Sequence, residues 1–208
     1  MKIGIIGAGM VGRAIGKLAV ASGHSVMLSN SRAPQTLFSL SRSIGCQVGT
    51  VDEAAAFGEL VIIAIPLAAY RSIPVEPLEG KLVIDTNNYY VERDGNIPEL
   101  DASETTTSEM LARHLPRSRI VKAFNAIVMD DLEKGGRLAG SSQRRGLPLA
   151  GDNSADKAVV AMLYDQFGFD AVDAGLLAEG WRLERGRPVY WVPMDAERLK
   201  DELENTIR

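Results

Sequence analysis

Short apolar runs alternate with stretches of helical periodicity along most of the chain. Lys2–Ile6, residues 60–65 and Leu82–Asp85 are runs of this kind, and their continuous apolar character is typical of strands covered on both faces of a parallel sheet. Between them, apolar residues recur at helical spacing, as in residues 11–21, which Ser22 and Gly23 close. Strands that alternate with helices predict βαβ units and a doubly wound parallel sheet of the α/β class.

The same pattern predicts the remaining elements. The predicted strands are residues 25–28, 119–124, 147–150 and 170–173, and the predicted helices are residues 33–44, 51–57, 155–167 and 195–207. Residues 125–146 differ, because they are rich in glycine and basic residues and lack a clear period. We therefore predict a larger domain over residues 1–125 and a smaller C-terminal α/β part over residues 126–208.

A glycine-rich turn follows the first predicted strand. Its pattern, G-x-G-x-x-G, stands between a strand and a helix, and a second strand follows within about 30 residues, which is the context of a Rossmann-type dinucleotide site. The free N–H groups at the start of the helix would face the pyrophosphate. The cofactor contacts predicted in this turn are Gly7, Ala8, Gly9, Met10, Val11 and Gly12.

The end of the second strand indicates which dinucleotide is bound. Enzymes that use NAD place an Asp or Glu here to hold the ribose hydroxyls. This chain has Ser29, Asn30, Ser31 and Arg32 instead, and a guanidinium with neutral hydrogen-bonding groups suits a 2′-phosphate. The segment therefore favours NADP(H); the alternative is that Asn30 and Ser31 serve only the turn and that Arg32 is a solvated charge.

Ligands of doubly wound sheets lie along the carboxyl ends of the strands. Three consecutive residues close the most apolar strand, and their backbone is predicted to line the ribose and nicotinamide: Ala64, Ile65 and Pro66. Asn87 ends the next strand, and Lys122 and Asn125 end the one after, which makes these two the candidates for a catalytic group. For Lys122 the stronger interpretation is a strand residue whose side chain reaches solvent.

Composition and charge exclude several classes of function. The chain has 208 residues, a net charge of −4, a single cysteine and two histidines. No basic field favours nucleic acid or an anionic membrane, and no apolar run approaches the roughly 20 residues of a membrane span. We find no spacing typical of a metal site or a nucleophile–base pair. A cytoplasmic protein with a small-molecule partner is expected.

Hydride transfer between two stacked rings suits a site without an acid–base pair, because the cofactors carry the chemistry and the protein positions them. Trp181 and Trp191 could form a flat wall for such a ring, although core or dimer contact is the commoner use. Arg144 and Arg145 could hold an acidic substrate tail, but exposed loop charge is the expected role.

The chain resembles the NADP oxidoreductases that use the deazaflavin coenzyme F-420. The likeness is carried by KIGIIGAGMVG, SNSR, AIP, SETTTSEMLARHLPRSRIVKAFNAI and PLAGDNSADKAVVAMLYDQFGFDAVDAG. The resemblance implies a homodimer in which the deazaflavin stacks on the nicotinamide in a cleft between the two parts of the chain. It also implies that the turn at Asn125 and Ala126, and the loop after Asp173, border this second ring.

Two other functions stay open at this stage. One is an NADPH-dependent reductase of a small carbonyl or imine, with Lys122 as proton donor, and the other is a non-catalytic NADP(H)-sensing module. A flavin is the second choice for the redox ring. Hydride transfer between NADP(H) and a deazaflavin or flavin remains the expected function.

Overall fold

The structure, a computed structural model, describes residues 1–208, and eight strands form its framework. They are β1 (Lys2–Ile6), β2 (Ser25–Ser29), β3 (Gln47–Gly49), β4 (Leu60–Ile63), β5 (Leu82–Asp85), β6 (Arg119–Lys122), β7 (Gly146–Gly151) and β8 (Asp170–Asp173). All eight belong to one sheet in the order β3-β2-β1-β4-β5-β6-β7-β8. Only the β6–β7 pairing is antiparallel.

Nine α-helices connect or flank the strands. They are α1 (Met10–Ala21), α2 (Phe38–Ile44), α3 (Val51–Phe57), α4 (Val91–Asp94), α5 (Pro98–Asp101), α6 (Thr107–His114), α7 (Met129–Lys134), α8 (Ser154–Gln166) and α9 (Ala196–Asn205). Short 3-10 helices cover Pro34–Leu37, Leu67–Ser72, Glu76–Leu78 and Leu177–Leu183. No helix combines the length and the apolar composition that a bilayer span requires.

The predicted doubly wound sheet is confirmed. The first six strands have the order 3-2-1-4-5-6, in which the chain reverses its direction of winding between β1 and β4. Strands β7 and β8, which come from residues 126–208, extend the same sheet beyond β6. The crevice at the β1/β4 switch point is the place where such sheets bind ligands.

Apolar side chains cover both faces of the sheet, as the continuous runs predicted. In β4, Leu60 and Ile62 join the larger core cluster on one face, whereas Val61 and Ile63 join a second cluster on the other. Helix α3 packs directly on the β1 backbone, because a Cβ at Gly4 would lie 2.1 Å from the carbonyl oxygen of Ala54. The sheet is thus held rigidly just below the switch point.

Several predicted boundaries shift. The predicted helix over residues 33–44 begins as a 3-10 turn, and α2 proper starts only at Phe38. The predicted strand over residues 119–124 ends at Lys122, because Phe124 has a φ of 61° and turns the chain out of extended conformation. Strand β3 was not predicted, since its three residues give too short a pattern.

The expectation of exposed loop charge at Arg144 and Arg145 is wrong, because both side chains are buried. Arg144 forms ion pairs with Asp165 at 2.6 Å and Asp170 at 2.9 Å, and Arg145 pairs with Asp131 at 3.0 Å. Burial lowers the pKa of Arg145 below its usual range, although the nearby Asp131 opposes the shift. These arginines fasten the end of the long loop to α7, α8 and β8.

The hydroxyl of Tyr164 bridges the sheet where β6 ends. It donates to the carbonyl of Pro148 in β7 at 2.9 Å and accepts from the backbone N–H of Phe124 at 2.9 Å. Tyr164 is fully buried, and burial raises the pKa of its hydroxyl, which keeps it protonated as a donor. This single hydroxyl therefore satisfies two buried backbone groups next to the turn at Phe124.

Replacing this hydroxyl tests how much it contributes to the stability of the fold. We expect Tyr164→Phe to lower the free energy of unfolding by about 1–3 kcal/mol, because it leaves a buried N–H and a buried carbonyl without partners. Urea unfolding followed by circular dichroism measures the change. The control is Tyr70→Phe, whose hydroxyl contacts only the neighbouring Arg71 near the surface, and whose effect should stay within about 0.5 kcal/mol. Equal stability of the two variants would contradict the bridging role.

Candidate functional site

A cavity of about 450 Å³ lies at the switch point of the sheet. It is bordered by the glycine turn, the end of β2, the end of β4 and the 3-10 helix that follows β4. Its lining residues are Ile6, Gly7, Ala8, Gly9, Arg13, Asn30, Ser31, Arg32, Val51, Ala64, Ile65, Pro66, Ala69, Ser72 and Ile73. No carboxylate is among them, and two of them are arginines.

The glycine turn is shaped by contacts that only glycine allows. Gly7 has a φ of 116°, and a Cβ there would lie 2.1 Å from the carbonyl oxygen of Ala64. A Cβ at Gly12 would lie 2.0 Å from the carbonyl oxygen of Gly7. Gly9 is the N-cap of α1, and no side chain accepts a hydrogen bond there. The first N–H groups of α1 are therefore left for an anionic ligand, whose approach is favoured by the helix dipole.

In the segment after β2, Asn30 forms a turn, and Ser31 and Arg32 form an exposed edge of the cavity, the Ser31–Arg32 edge. The Oδ1 of Asn30 accepts from the backbone N–H of Arg32 at 2.9 Å, and its Nδ2 donates to Thr36 at 3.0 Å. Ser31 and Arg32 are exposed at the cavity, and the guanidinium of Arg32 makes no hydrogen bond or ion pair within the protein. Asn30 thus stabilises the turn, which agrees with the alternative interpretation that Asn30 serves only the turn. The side chains of Ser31 and Arg32 stay free to contact solvent or a ligand.

Ser29 is placed differently from its neighbours. Its side chain is fully buried, and its hydroxyl donates to the carbonyl of Ile5 at 3.1 Å. It does not line the cavity. The hydroxyl instead ties β2 to β1 directly beneath the glycine turn, which fixes the position of the loop that follows.

Arg13 is a lining residue that the sequence did not single out. Its Nε donates to the carbonyl of Ala8 at 2.7 Å, which holds the guanidinium against the glycine turn. The available signal was its position directly after Gly12, about one helical turn beyond Gly9. Together with Arg32 it makes this cavity electrostatically positive.

The end of β4 forms the opposite wall. Ala64, Ile65 and Pro66 line the cavity, and the backbone N–H of Ile65 donates to the Oδ1 of Asn87 at 3.2 Å. Asn87 is buried and lies two residues past the end of β5. The side chain of Asn87 therefore fixes the β4 loop from below without lining the cavity itself.

A second cavity of about 450 Å³ lies on the other side of the start of α1. Its walls come from the starts of α1 and α7, from the loops after β5 and β6, and from the segment before α9. Its lining residues are Met10, Val11, Thr86, Asn88, Tyr90, Phe124, Asn125, Ile127, Val128, Met129, Asp130 and Trp191. The wall is largely apolar, and Asp130 is the only charged side chain in it.

Aromatic residues close one side of this second cavity. Tyr190 and Trp191 stack with ring centroids 4.8 Å apart, and the hydroxyls of Tyr90 and Tyr190 share a short hydrogen bond. The backbone N–H of Trp191 donates to the carbonyl of Ala126 at 3.1 Å, and Trp191 has a φ of 63°. Burial raises the pKa of Tyr190, so its hydroxyl stays neutral. Trp181, by contrast, is buried elsewhere, beneath the guanidinium of Arg182.

Lys122 is fully buried and lines neither cavity. Its Nζ donates to the carbonyl of Asn87 at 3.1 Å and to the hydroxyl of Thr107 at 2.6 Å, and it lies 3.3 Å from the hydroxyl of Ser108. Two carboxylates balance its charge, Asp85 at 3.9 Å and Glu184 at 3.7 Å. All three of its protons thus have oxygen partners inside the protein.

The structure brings most of the predicted site residues to one edge of the sheet. In the first cavity it places Gly7, Ala8, Gly9, Asn30, Ser31, Arg32, Ala64, Ile65 and Pro66. In the second it places Met10, Val11 and Asn125. The predicted residues that line neither cavity are Gly12, Ser29, Asn87, Lys122 and Ala126.

Residues 2–89 match the model of a family described as coenzyme F-420-dependent NADP oxidoreductases. This segment contains the glycine turn, the Ser31–Arg32 edge and the β4 end described above. The resemblance inferred from the sequence is confirmed over these residues, and with it the class of NADP-dependent oxidoreductase. No curated protein sequence matches the chain.

Solved structures share this fold over most of the chain. A hypothetical protein from Sinorhizobium meliloti is 27% identical, with a TM-score of 0.79 over 93% of this chain and 94% of that one. A candidate F-420-dependent NADP-reductase from an Arthrobacter species is 28% identical, with a TM-score of 0.72 over 84% of each chain. A reductive aminase from Aspergillus terreus in complex with NADPH is 19% identical, with a TM-score of 0.60 over 85% of this chain and 56% of that one, and this likeness shows the fold alone.

Two glycines of the turn offer a matched test. A Cβ at Gly9 would meet no protein atom within 4 Å, whereas one at Gly12 would collide with backbone. We expect Gly9→Ala to keep the stability of the protein and weaken NADP(H) binding about tenfold or more, since the methyl group occupies the approach of the pyrophosphate. Gly12→Ala should lower the melting temperature by several degrees. Thermal unfolding and calorimetric titration separate the two effects, and unchanged binding by Gly9→Ala would argue against a phosphate at this turn.

Proposed function

We propose that the chain transfers a hydride between NADP(H) in the first cavity and a planar redox ring in the second cavity, with a deazaflavin of the F-420 type as the first choice and a flavin as the second. The start of α1 serves both cavities, because Gly7, Ala8 and Gly9 line the first and Met10 and Val11 line the second. A dinucleotide that lies across this edge would therefore bring its nicotinamide toward the second cavity.

The absence of any carboxylate from the first cavity is the observation that carries the cofactor assignment. Every charged side chain in its lining is an arginine, and Arg32 stands where an NAD enzyme places its acid. A guanidinium without an internal partner binds a phosphate through charge-assisted hydrogen bonds. We therefore assign Ser31 and Arg32 to the 2′-phosphate and the Gly7–Gly12 turn to the pyrophosphate.

The second cavity supports a ring as the hydride acceptor. Its apolar walls and the stacked Tyr190 and Trp191 offer flat surfaces, which suit an aromatic ring system. Reduction of such a ring uses one NADPH and one proton and gives NADP⁺ and the two-electron-reduced ring. The chain's own residues bind and orient the two rings and exclude water, and the reaction requires no protein nucleophile.

Reduction of a small carbonyl or imine would need a proton donor beside the nicotinamide. Lys122 was the candidate for this role, yet its Nζ is turned into the protein and bonded to Asn87, Thr107 and Ser108. The geometry gives this second function no support.

We also propose a cellular location and an oligomeric state for the protein. We place it in the cytoplasm as a homodimer, on the strength of the family resemblance and of the lone cysteine, Cys46, which is buried and unpaired. A small-molecule acceptor is the expected partner, and the net charge of −4 does not favour nucleic acid or an anionic membrane.

Removing the Arg32 guanidinium tests the phosphate assignment. We expect Arg32→Ala to weaken NADPH by about 10- to 100-fold and NADH by less than about threefold, because only NADPH carries the 2′-phosphate. Calorimetric titration of both nucleotides measures the difference. Arg42→Ala is the matched control: it removes the same charge from the exposed face of α2, outside the cavity, and should leave both affinities unchanged. Equal losses for NADPH and NADH with Arg32→Ala would overturn the assignment.

An acceptor panel tests the hydride transfer itself. NADPH oxidation is followed at the nicotinamide absorbance band with F-420, FMN and a small carbonyl as acceptors, and we expect turnover with a ring acceptor. Trp191→Ala should raise the KM for that ring about tenfold and leave NADPH binding unchanged, because the indole lines only the second cavity. Val192→Ala, which alters the exposed neighbour, is the control. Tight NADPH binding without turnover of any acceptor would favour a sensing module instead.

A further inference from the structure

A third cavity, of about 140 Å³, lies between α5, the segment that precedes α6 and the chain that follows the last 3-10 helix. It has no role in the proposed function, and it shares no lining residue with the first or the second cavity. Its lining includes Trp181 and three arginines, which are Arg185, Arg187 and Arg208. We call it the arginine cavity.

The only carboxylate in this lining already has partners elsewhere. The Oε1 of Glu184 accepts from the backbone N–H of Thr107 at 2.9 Å and from its hydroxyl at 2.8 Å, and it lies 3.7 Å from the Nζ of Lys122. No ion pair joins Glu184 to an arginine of the lining. Glu184 therefore balances the buried Lys122 and leaves the arginines without a counter-charge inside the cavity.

Two of the three arginines have no counter-charge at all. Arg185 pairs with Glu92 at 2.8 Å. The guanidiniums of Arg187 and Arg208 each donate only to a backbone carbonyl, at 3.2 and 3.4 Å, and neither pairs with any carboxylate, the chain-terminal one included. One carbonyl occupies one of the several N–H donors of a guanidinium. Most donors of Arg187 and Arg208 are therefore free to bind a ligand.

An indole ring holds these guanidiniums beside one another. Trp181 is 6% exposed, and the Cζ atoms of Arg187 and Arg208 lie 4.9 and 5.9 Å from its ring centroid. Arg182 also lies over this ring, at 4.4 Å, but it is paired with Glu179. A cation–π contact orients a guanidinium without cancelling its charge. In a chain whose net charge is −4, the cavity is thus a local excess of positive charge that attracts an anion.

We propose that the arginine cavity binds a phosphate group, either as the free anion or as a phosphate ester. The oxygens of a phosphate accept from several guanidinium N–H groups at once, and such charge-assisted bonds are about twice as strong as neutral ones. A phosphate close to the dianion balances both Arg187 and Arg208, whereas a carboxylate balances only one of them. The cavity has less than a third of the volume of either other cavity, which suits one such group rather than a dinucleotide or a ring system.

Fluorescence reports on this cavity alone once the second indole is removed. The chain has two tryptophans, so Trp191→Phe leaves Trp181 as the only one. At constant ionic strength, we expect inorganic phosphate to change the Trp181 emission in a saturable way and chloride to leave it unchanged. In this background, Arg187→Gln and Arg208→Gln should each raise the dissociation constant of phosphate about tenfold or more, because each removes charge-assisted donors.

A pair of flavins separates the two sources of phosphate, and this arm alone rests on the proposed function. The guanidinium of Arg185 lies 5.0 Å from the ring centroid of Tyr90, which lines the second cavity, so the two cavities are neighbours. FMN and riboflavin share one ring system and differ in the phosphate ester. If the ester of a ring ligand fills the arginine cavity, Arg187→Gln weakens FMN about tenfold and spares riboflavin in calorimetric titration. If free phosphate fills it, the variant weakens inorganic phosphate and treats the two flavins alike.

Two control variants show where the phosphate binds, and circular dichroism checks that every variant is folded. Arg198→Gln removes an exposed arginine of α9 that lines none of the three cavities, and it should leave the dissociation constant unchanged. Arg32→Ala alters the first cavity and should also leave the Trp181 response unchanged, so failure of this site is distinguishable from failure of the proposed function. The proposal is overturned if phosphate gives no saturable response, if chloride gives an equal one, or if Arg187→Gln and Arg208→Gln both bind phosphate as the parent does.

Discussion

The close approach of two backbone segments at the switch point of the sheet is the constraint on which the site depends. The turn after β1 and the end of β4 lie so near each other that Gly7 has no room for a side chain against Ala64. With side chains excluded, the N–H groups at the start of α1 stay open, and the same helix start borders both cavities. Burial of both faces of β1 and β4 holds this geometry rigid, so a ligand finds it already formed.

A buried ionic network connects the strands beside the site to the C-terminal part of the chain. Lys122 in β6 lies between Asp85 in β5 and Glu184 from the C-terminal part, and Thr107 joins the lysine to that glutamate. Burying such charges costs free energy unless they are paired and hydrogen-bonded. Here the ammonium of Lys122, both oxygens of Asp85 and the Oε1 of Glu184 all have partners. The result is a fixed frame around the backbone of Asn87, just after β5. Lys122 is therefore better understood as a buried structural cation than as a group that donates protons to a substrate.

The sequence predicted those features that local pattern determines. The positions of the glycine turn and of β4 can be predicted from a few neighbouring residues. The role of Arg32 is predicted because no acidic residue stands at the expected distance after the turn. The burial of Arg144 depends on Asp165 and Asp170, which lie far along the chain, so the local charge pattern was misleading. The buried position of Asn87 is likewise a tertiary property, since it is fixed by contacts with Ile65 after β4 and with Lys122 in β6. Arg13 directly follows the glycine turn in the sequence. That its side chain faces the cavity, however, depends on where α1 begins, which only the structure shows.

We propose that the first cavity selects the phosphorylated dinucleotide because it is positive and free of carboxylates. The most direct measurement is the ratio of the dissociation constants of NAD⁺ and NADP⁺ for the unaltered protein, determined by calorimetric titration at one fixed ionic strength. We expect NADP⁺ to bind at least about tenfold more tightly than NAD⁺, and the ratio to fall as salt screens the phosphate from the guanidinium groups. Equal affinities, or tighter binding of NAD⁺, would contradict the assignment of the cavity.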